Sequence, residues 1–281
     1  MFRRLSLGAL MISLFLIGQT AFGQQVLPLK VAVVEGKDNS SKAHPLDPAL
    51  TMASKGLAFS TKTVRDYSAT LVKRENVDGV LQPSEYIFLK VRNAKPQVPF
   101  SVYMYFLKPV EAKGREVIYV DGLNQNKMLV HEGGGGLKGA LPNLELDPKG
   151  FLAMKGQRYP LTEVGIENLM KQLVQRGQRD RAAGTCKVQF RKGAKINGRL
   201  CTLIQVTHPE KRVPYDFHIA QIFVDDQLGM PIRYASYNWP KAEGARPELI
   251  EEYTYLNLKI NVGLTDLDFD PDNPNYAFKR E

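Results

Sequence analysis

Apolar and polar residues alternate with a period of two through much of this chain, and recur with a period near 3.6 in only two places. Residues 64–75 alternate around Tyr67, Ala69 and Leu71, and Val77-Asp78-Gly79 then signals a turn. Residues 85–92, 100–108, 115–120 and 127–131 read as further strands, with Lys95-Pro96-Gln97 and Asp121-Gly122-Leu123-Asn124 in the connections. Such short runs separated by turn residues describe an antiparallel meander. A loop follows from Gly133 through Pro142, Pro148 and Gly150. Strands resume at 186–191, 200–206, 215–224, 230–239 and 251–260, and the tail from Asp266 to Tyr276 is acidic and carries prolines.

The two helical stretches are residues 50–60 and 161–180. Asp47 is the candidate cap of the first, with Pro48 at its first position. The second is the clearer, because Ile166, Leu169, Met170, Leu173 and Val174 form one stripe that must face a core. Thr162 is its expected N-cap, and Glu163 suits its first turn. Several strands are apolar on both faces, among them Phe100-Ser101-Val102-Tyr103-Met104-Tyr105-Phe106-Leu107. A sheet with one wet face alternates more cleanly. The fold class is therefore α+β: a curved antiparallel sheet with two covering helices, whose second face is either covered as well or lines a lipophilic cavity.

Residues 1–23 break both periods. Arg3 and Arg4 precede an apolar run from Leu5 to Ile17, and Ala21 and Gly23 supply a small-x-small end. This is the pattern of a secretory signal peptide. The run is too short for a bilayer of roughly 30 Å, and no Cys lies near its end to carry a lipid. Residues 24–47 read as a flexible linker and 48–281 as a single domain, free in the periplasm or secreted. The chain has 281 residues, enough for a substantial core without staples. Its 38 basic residues against 29 acidic give a formal charge of +9. That charge fits anionic partners, but the basic residues do not cluster into a block and no nucleic-acid module is present. Export argues further against nucleic acid.

Cys186 and Cys201 flank a segment that reads as a hairpin turning at Gly193 to Gly198. Their midpoint falls inside that turn, which sets them opposite each other and within bonding reach. An oxidising compartment then favours a disulfide, with a stabilisation of roughly 3 kcal/mol from loop closure. Enzymatic motifs are weak. Gly134, Gly136 and Gly139 fit G-x-G-x-x-G, but Leu141-Pro142-Asn143 follows where a dinucleotide site needs a helix, and Lys138 completes no P-loop. His44, His131, His208 and His218 have no metal-ligand spacing. Asp266, Asp268, Asp270 and Asp272 alternate, yet a calcium loop counted from Asp266 would have Pro271 and Ala277 at its key positions, so a solvated turn is expected. No cofactor or metal is expected. Arg74-Glu75 and Arg115-Glu116 sit at strand ends, where alternation sends the two members of each pair to opposite faces. Arg158 is a candidate to join such a polar cluster.

Residues 63–181 resemble the exported bacterial family catalogued as domain of unknown function 1571. The resemblance is carried by Asp66-Tyr67-Ser68-Ala69-Thr70, Lys73-Arg74-Glu75, Ser101-Val102-Tyr103 and Gly114-Arg115-Glu116-Val117-Ile118-Tyr119-Val120-Asp121-Gly122. Arg158-Tyr159-Pro160 ahead of Gly165-Ile166-Glu167-Asn168-Leu169, and the later Glu252-Tyr253-Thr254-Tyr255 and Asp268-Phe269, fit as well. That family brings no activity or catalytic residues. The order of elements also resembles the periplasmic lipoprotein carriers of the LolA/LolB type. That resemblance implies an incomplete antiparallel barrel whose helices cover an apolar cavity for acyl chains.

Together these readings describe a non-enzymatic binding or carrier protein of the cell envelope, holding a lipid or a lipoprotein's acyl chains. Leu89, Val102, Met104, Phe106, Ile222 and Leu256 are the candidate lining residues. Peripheral membrane contact and an envelope-protein partner are compatible with it. The first alternative is an envelope structural or interaction protein whose sheet is filled and covered. The second is an envelope-polymer hydrolase using Glu75, Glu116 or His131, which requires two such groups to converge in one cleft.

Overall fold

A computed structural model describes residues 43–134 and 141–279. The proposed leader, most of the proposed linker, and the glycines and lysine at 136, 138 and 139 lie outside the described residues. The chain enters through helix α1 (Asp47–Thr63) and strands β1 (Asp66–Val77), β2 (Val80–Leu81), β3 (Glu85–Arg92), β4 (Ser101–Lys108), β5 (Glu116–Val120), β6 (Met128–His131) and β7 (Leu144–Leu146). A one-turn helix α2 (Phe151–Met154) and the long helix α3 (Ile166–Ala183) follow. Strands β8 (Lys187–Ile196), β9 (Arg199–Thr207), β10 (Ile219–Asp225), β11 (Pro231–Tyr237) and β12 (Leu249–Ile260) complete the fold.

All strand pairs are antiparallel, and the sheet is open, in the order β7-β6-β5-β4-β3-β1-β12-β11-β10-β9-β8, with the short β2 paired to β1. It is two meanders joined at the centre by β1 and β12. The expected antiparallel sheet with helices against it is present, and it is not a closed barrel. The expected strands recur within a few residues of their sequence bounds, and β2, β7 and α2 are additions.

One sheet face is the floor of the main core. Tyr67, Leu71, Ile87, Leu89, Val91 and Val102 are at most 2% exposed, and Ile166 and Met170 of α3 pack against them. Each such side chain contributes about 1.5–3 kcal/mol relative to exposure. Leu46, at the mouth of α1, joins a second cluster with Ile204, Phe217 and Tyr234. Residues 43–47 are thus tied to the fold rather than free, since His44 Nε2 also donates to the Gly184 carbonyl at 2.8 Å. Asp47 sits inside the first turn instead of capping it, paired with Arg181.

The start of α3 also differs from expectation. Thr162 lies in an isolated 3-10 turn over Leu161–Glu163, and Gly165 is the residue before the helix, with φ +114°. That conformation requires glycine. It lets the Ile166 N–H donate to the Tyr67 hydroxyl at 3.0 Å, so β1 satisfies one of the open donors at the helix end.

The tail is not a solvated turn. It covers the opposite sheet face, where Phe269 and Phe278 pack with Tyr103, Ile118 and Val120. Tyr276 stacks on Tyr103 at 4.0 Å between centroids, Asp268 pairs with Lys90 at 2.7 Å, and Asp266 pairs with Arg92. Asp266 and Asp268 therefore anchor the tail as a strap.

The cysteines are both free, which overturns the expected disulfide. The hairpin turns at Asn197-Gly198, both with positive φ, at the far end of the expected 193–198 stretch and not at the midpoint between the cysteines. A register shift between Arg191 and Ala194 lets β8 run on through Gly193. Cys201 then faces Ala194, while Cys186 lies beyond the Lys187–Thr207 pair. The two thiols end up roughly 20 Å apart along the strand direction, in different core clusters. Burial, aided by Asp180 for Cys186 and by Asp225 for Cys201, pushes both thiols up to about 11.

Two measurements check this packing. Thiol titration of denatured, never-reduced protein should count both cysteines as free, and dithiothreitol should leave the melting temperature unchanged. Gly56→Ala should lower the urea midpoint by the equivalent of about 1–3 kcal/mol, because a Cβ there would lie 2.4 Å from the Gly229 carbonyl oxygen.

Candidate functional site

The floor strands carry their apolar side chains at alternate positions, and α3 lays its stripe over only part of them. What remains is a cavity of about 340 Å³. Its floor includes Leu71, Ile87, Met104, Phe106, Val117 and Val130, and its roof includes Leu169 and Leu173 of α3 and Leu152 of α2. The volume lies at the lower end of the range for small-molecule sites.

The structure separates the candidate lining residues. Met104 and Phe106 line the cavity. Leu89 and Val102 are on the same face, where they are fully buried in the packed core beneath the helices. Ile222 lines a smaller recess of about 80 Å³ under α1 and α3. Leu256 follows Tyr255, which lines the cavity, so Leu256 takes the other face of β12.

One end of the cavity is polar, and sequence reasoning found only part of it. Glu75 and Glu251 stand directly opposite each other across β1 and β12, and both are almost fully buried at 3% and 2% exposure. Two unscreened carboxylates at this spacing would destabilise the sheet. Their neighbours neutralise them. Arg176 and Arg158 each reach a Glu251 oxygen at 3.3 Å. The Arg158 N–H donates to Glu75 at 3.1 Å, and the Tyr253 hydroxyl donates to the other Glu75 oxygen. Lys73 bridges Glu85 at 2.9 Å and Glu75 at 3.6 Å, and it also binds the Gln157 side chain. Arg176 further donates to the Tyr159 hydroxyl at 2.8 Å.

Burial, with Glu251 and Glu75 beside it, holds the Tyr253 pKa far above the usual phenol value, so its hydroxyl remains a donor. Burial alone would lower the Arg176 pKa; Tyr234, Tyr159 and Glu251 outweigh it and keep the guanidinium charged. Arg115 and Glu132 add another ion pair to the lining, at 2.8 Å. The cavity can thus solvate a polar end of a molecule whose body lies on the apolar floor.

The expected alternation of Arg-Glu pairs is visible here. Glu75 and Arg115 line the cavity. Glu116 turns to the opposite face, where it accepts from the Ala277 N–H at 3.0 Å and sits across from His131. Glu75 therefore does not converge with Glu116 or His131. The residues missed were Arg176, Glu251 and Tyr253. A signal existed for the first, since Arg176 continues the buried stripe of Ile166, Leu169 and Leu173 at helical spacing. A charge on such a stripe implies a buried partner.

The chain belongs to the family described as Protein of unknown function (DUF1571), which it matches over residues 64–278. Comparison with curated proteins finds no similar sequence. Similar solved structures include the lipoprotein LppX of Mycobacterium tuberculosis, at 17% identity, covering 80% of this chain and 100% of that one with a TM-score of 0.43. A putative outer membrane lipoprotein-sorting protein domain from Vibrio parahaemolyticus is similar at 12% identity over 79% and 95%, with a TM-score of 0.37. A LolA superfamily protein from Nitrosomonas europaea is similar at 11% identity over 79% and 97%, with a TM-score of 0.30. Likenesses this distant assign no ligand.

Arg176→Met should destabilise the protein by about 3 kcal/mol in chemical denaturation, because it removes a partner from a buried carboxylate. Adding Glu251→Gln in the same chain should recover part of that loss.

Proposed function

We propose that this protein is an exported cell-envelope carrier that holds a lipid, or the acyl chains of a lipoprotein, in the cavity between the sheet and helices α2 and α3. The observation that carries the reading is the cavity itself, about 340 Å³ of space over an apolar floor with charged groups gathered at one end. A filled interior would have favoured the purely structural alternative. Each methylene transferred from water to such a floor contributes about 0.8 kcal/mol. The polar end gives a headgroup hydrogen-bonding partners that hydrocarbon lacks. Export rests on the leader read in residues 1–23, and the envelope location follows from it. The mechanism needs no bond-making: the cargo is bound by burial and released when the roof moves.

The test is native mass spectrometry of the protein purified from the envelope of its own host. A bound lipid mass is expected. Met104→Trp, which fills the cavity from its floor, should reduce lipid occupancy at least about tenfold, equivalent to ~1.4 kcal/mol, with an unchanged circular dichroism spectrum. Repeated recovery of ligand-free protein that also takes up no fluorescent fatty acid would exclude the carrier.

A further inference from the structure

The cavity has an opening beside α2, because Leu152, Lys155 and Glu163 line it and are also exposed. α2 buries none of its own residues, and its first two are large and apolar, Phe151 at 83% exposure and Leu152 at 69%. Leu141 and Leu144, on the chain leading to it, are 46% and 40% exposed. Isolated surface apolar residues need no explanation, but adjacent ones on a single turn at the mouth of a cavity do. The helix adds nothing to the core through Phe151, so its side chain is held out in water at a cost comparable to what burial would return.

Two lysines stand next to α2, and of the carboxylates near the opening Glu163 accepts a hydrogen bond from the Gln172 side chain at 2.8 Å. Lys149 and Lys155 flank α2, and neither has an ion pair among the described residues. The nearest carboxylate in sequence, Asp147, is turned to the Lys149 backbone N–H at 2.9 Å. Apolar side chains on a short projection with a lysine on either side match the interface of an anionic bilayer. Phe and Leu enter the acyl boundary, and each ammonium near the surface contributes about 1 kcal/mol.

We propose that α2 and its flanking lysines form a membrane-docking element, which seats the mouth of the cavity on a bilayer containing anionic phospholipid. Docking by this surface aligns the opening with the acyl chains of the leaflet, so cargo passes without crossing water. The element acts whether or not the cavity is filled.

Vesicle co-sedimentation tests it, with phosphatidylcholine vesicles compared with mixed phosphatidylcholine and phosphatidylglycerol vesicles. The wild-type chain should sediment with the mixed vesicles. Phe151→Ser with Leu152→Ser should weaken that partition at least about tenfold, and both positions are exposed, so the fold is retained. Lys149→Gln with Lys155→Gln should abolish the preference for mixed over neutral vesicles, as should raised salt. Met104→Trp should still dock while losing lipid, which separates this inference from the carrier reading. Wild-type protein that stays in solution with both vesicles would overturn docking and leave the patch to a protein partner or a second copy. So would a Phe151/Leu152 double variant that binds as the wild type does.

Discussion

The antiparallel pairing of β1 with β12 holds the two halves of the sheet together, and no other strand pair in the sheet order links them. Both strands have 12 residues. Their register forces Glu75 against Glu251, so the two strands can pair there only if cations come to the same place. Arg158 arrives from the segment before α3 and Arg176 from α3 itself. The roof is therefore fixed at a polar point over the join. A second polar attachment is Tyr67, whose hydroxyl receives the first N–H of α3. A roof pinned at polar points need not settle fully onto an apolar floor, and the space left between them is the cavity.

This arrangement trades packing for access. Side chains around an open space lose the dispersion contacts they would gain in a filled core. The surrounding structure compensates on the outer face, where the C-terminal strap buries Phe269 and Phe278 and adds ion pairs to Lys90 and Arg92. One face of the floor is sealed and the other is available.

Much of the sheet was legible in the sequence because the two-residue period is strong in strands buried on one face, such as Tyr67-Ser68-Ala69-Thr70-Leu71. The fully buried strands gave less, since apolar residues at every position do not say which face turns inward. Met104 lines the cavity, whereas Leu256 faces away from it, because β12 turns Tyr253 and Tyr255 to the cavity and Leu256 alternates with them. The disulfide failed for a related reason. A midpoint between cysteines locates a turn only if the strands pair without interruption, and the bulge before Ala194 shifted the turn to Asn197-Gly198. The partner of Arg176 was illegible because it lies 75 residues away on a strand whose neighbours are set by tertiary pairing. The cavity volume, likewise, depends on how far a helix stands from a sheet, which no local pattern records.

The two outer margins of the open sheet carry a further consequence. β7 has three residues and lies between Pro142 and Pro148. β8 is longer, but it bears Lys187, Arg191, Lys192 and Lys195 and is broken by the shift at Gly193. An unpaired strand is a template for addition, and short length, prolines, a bulge and repeated lysines each block it. Two copies meeting at β8 would bring cationic rows together across an irregular backbone. The molecule can thus be abundant without polymerising, even though its sheet never closes on itself.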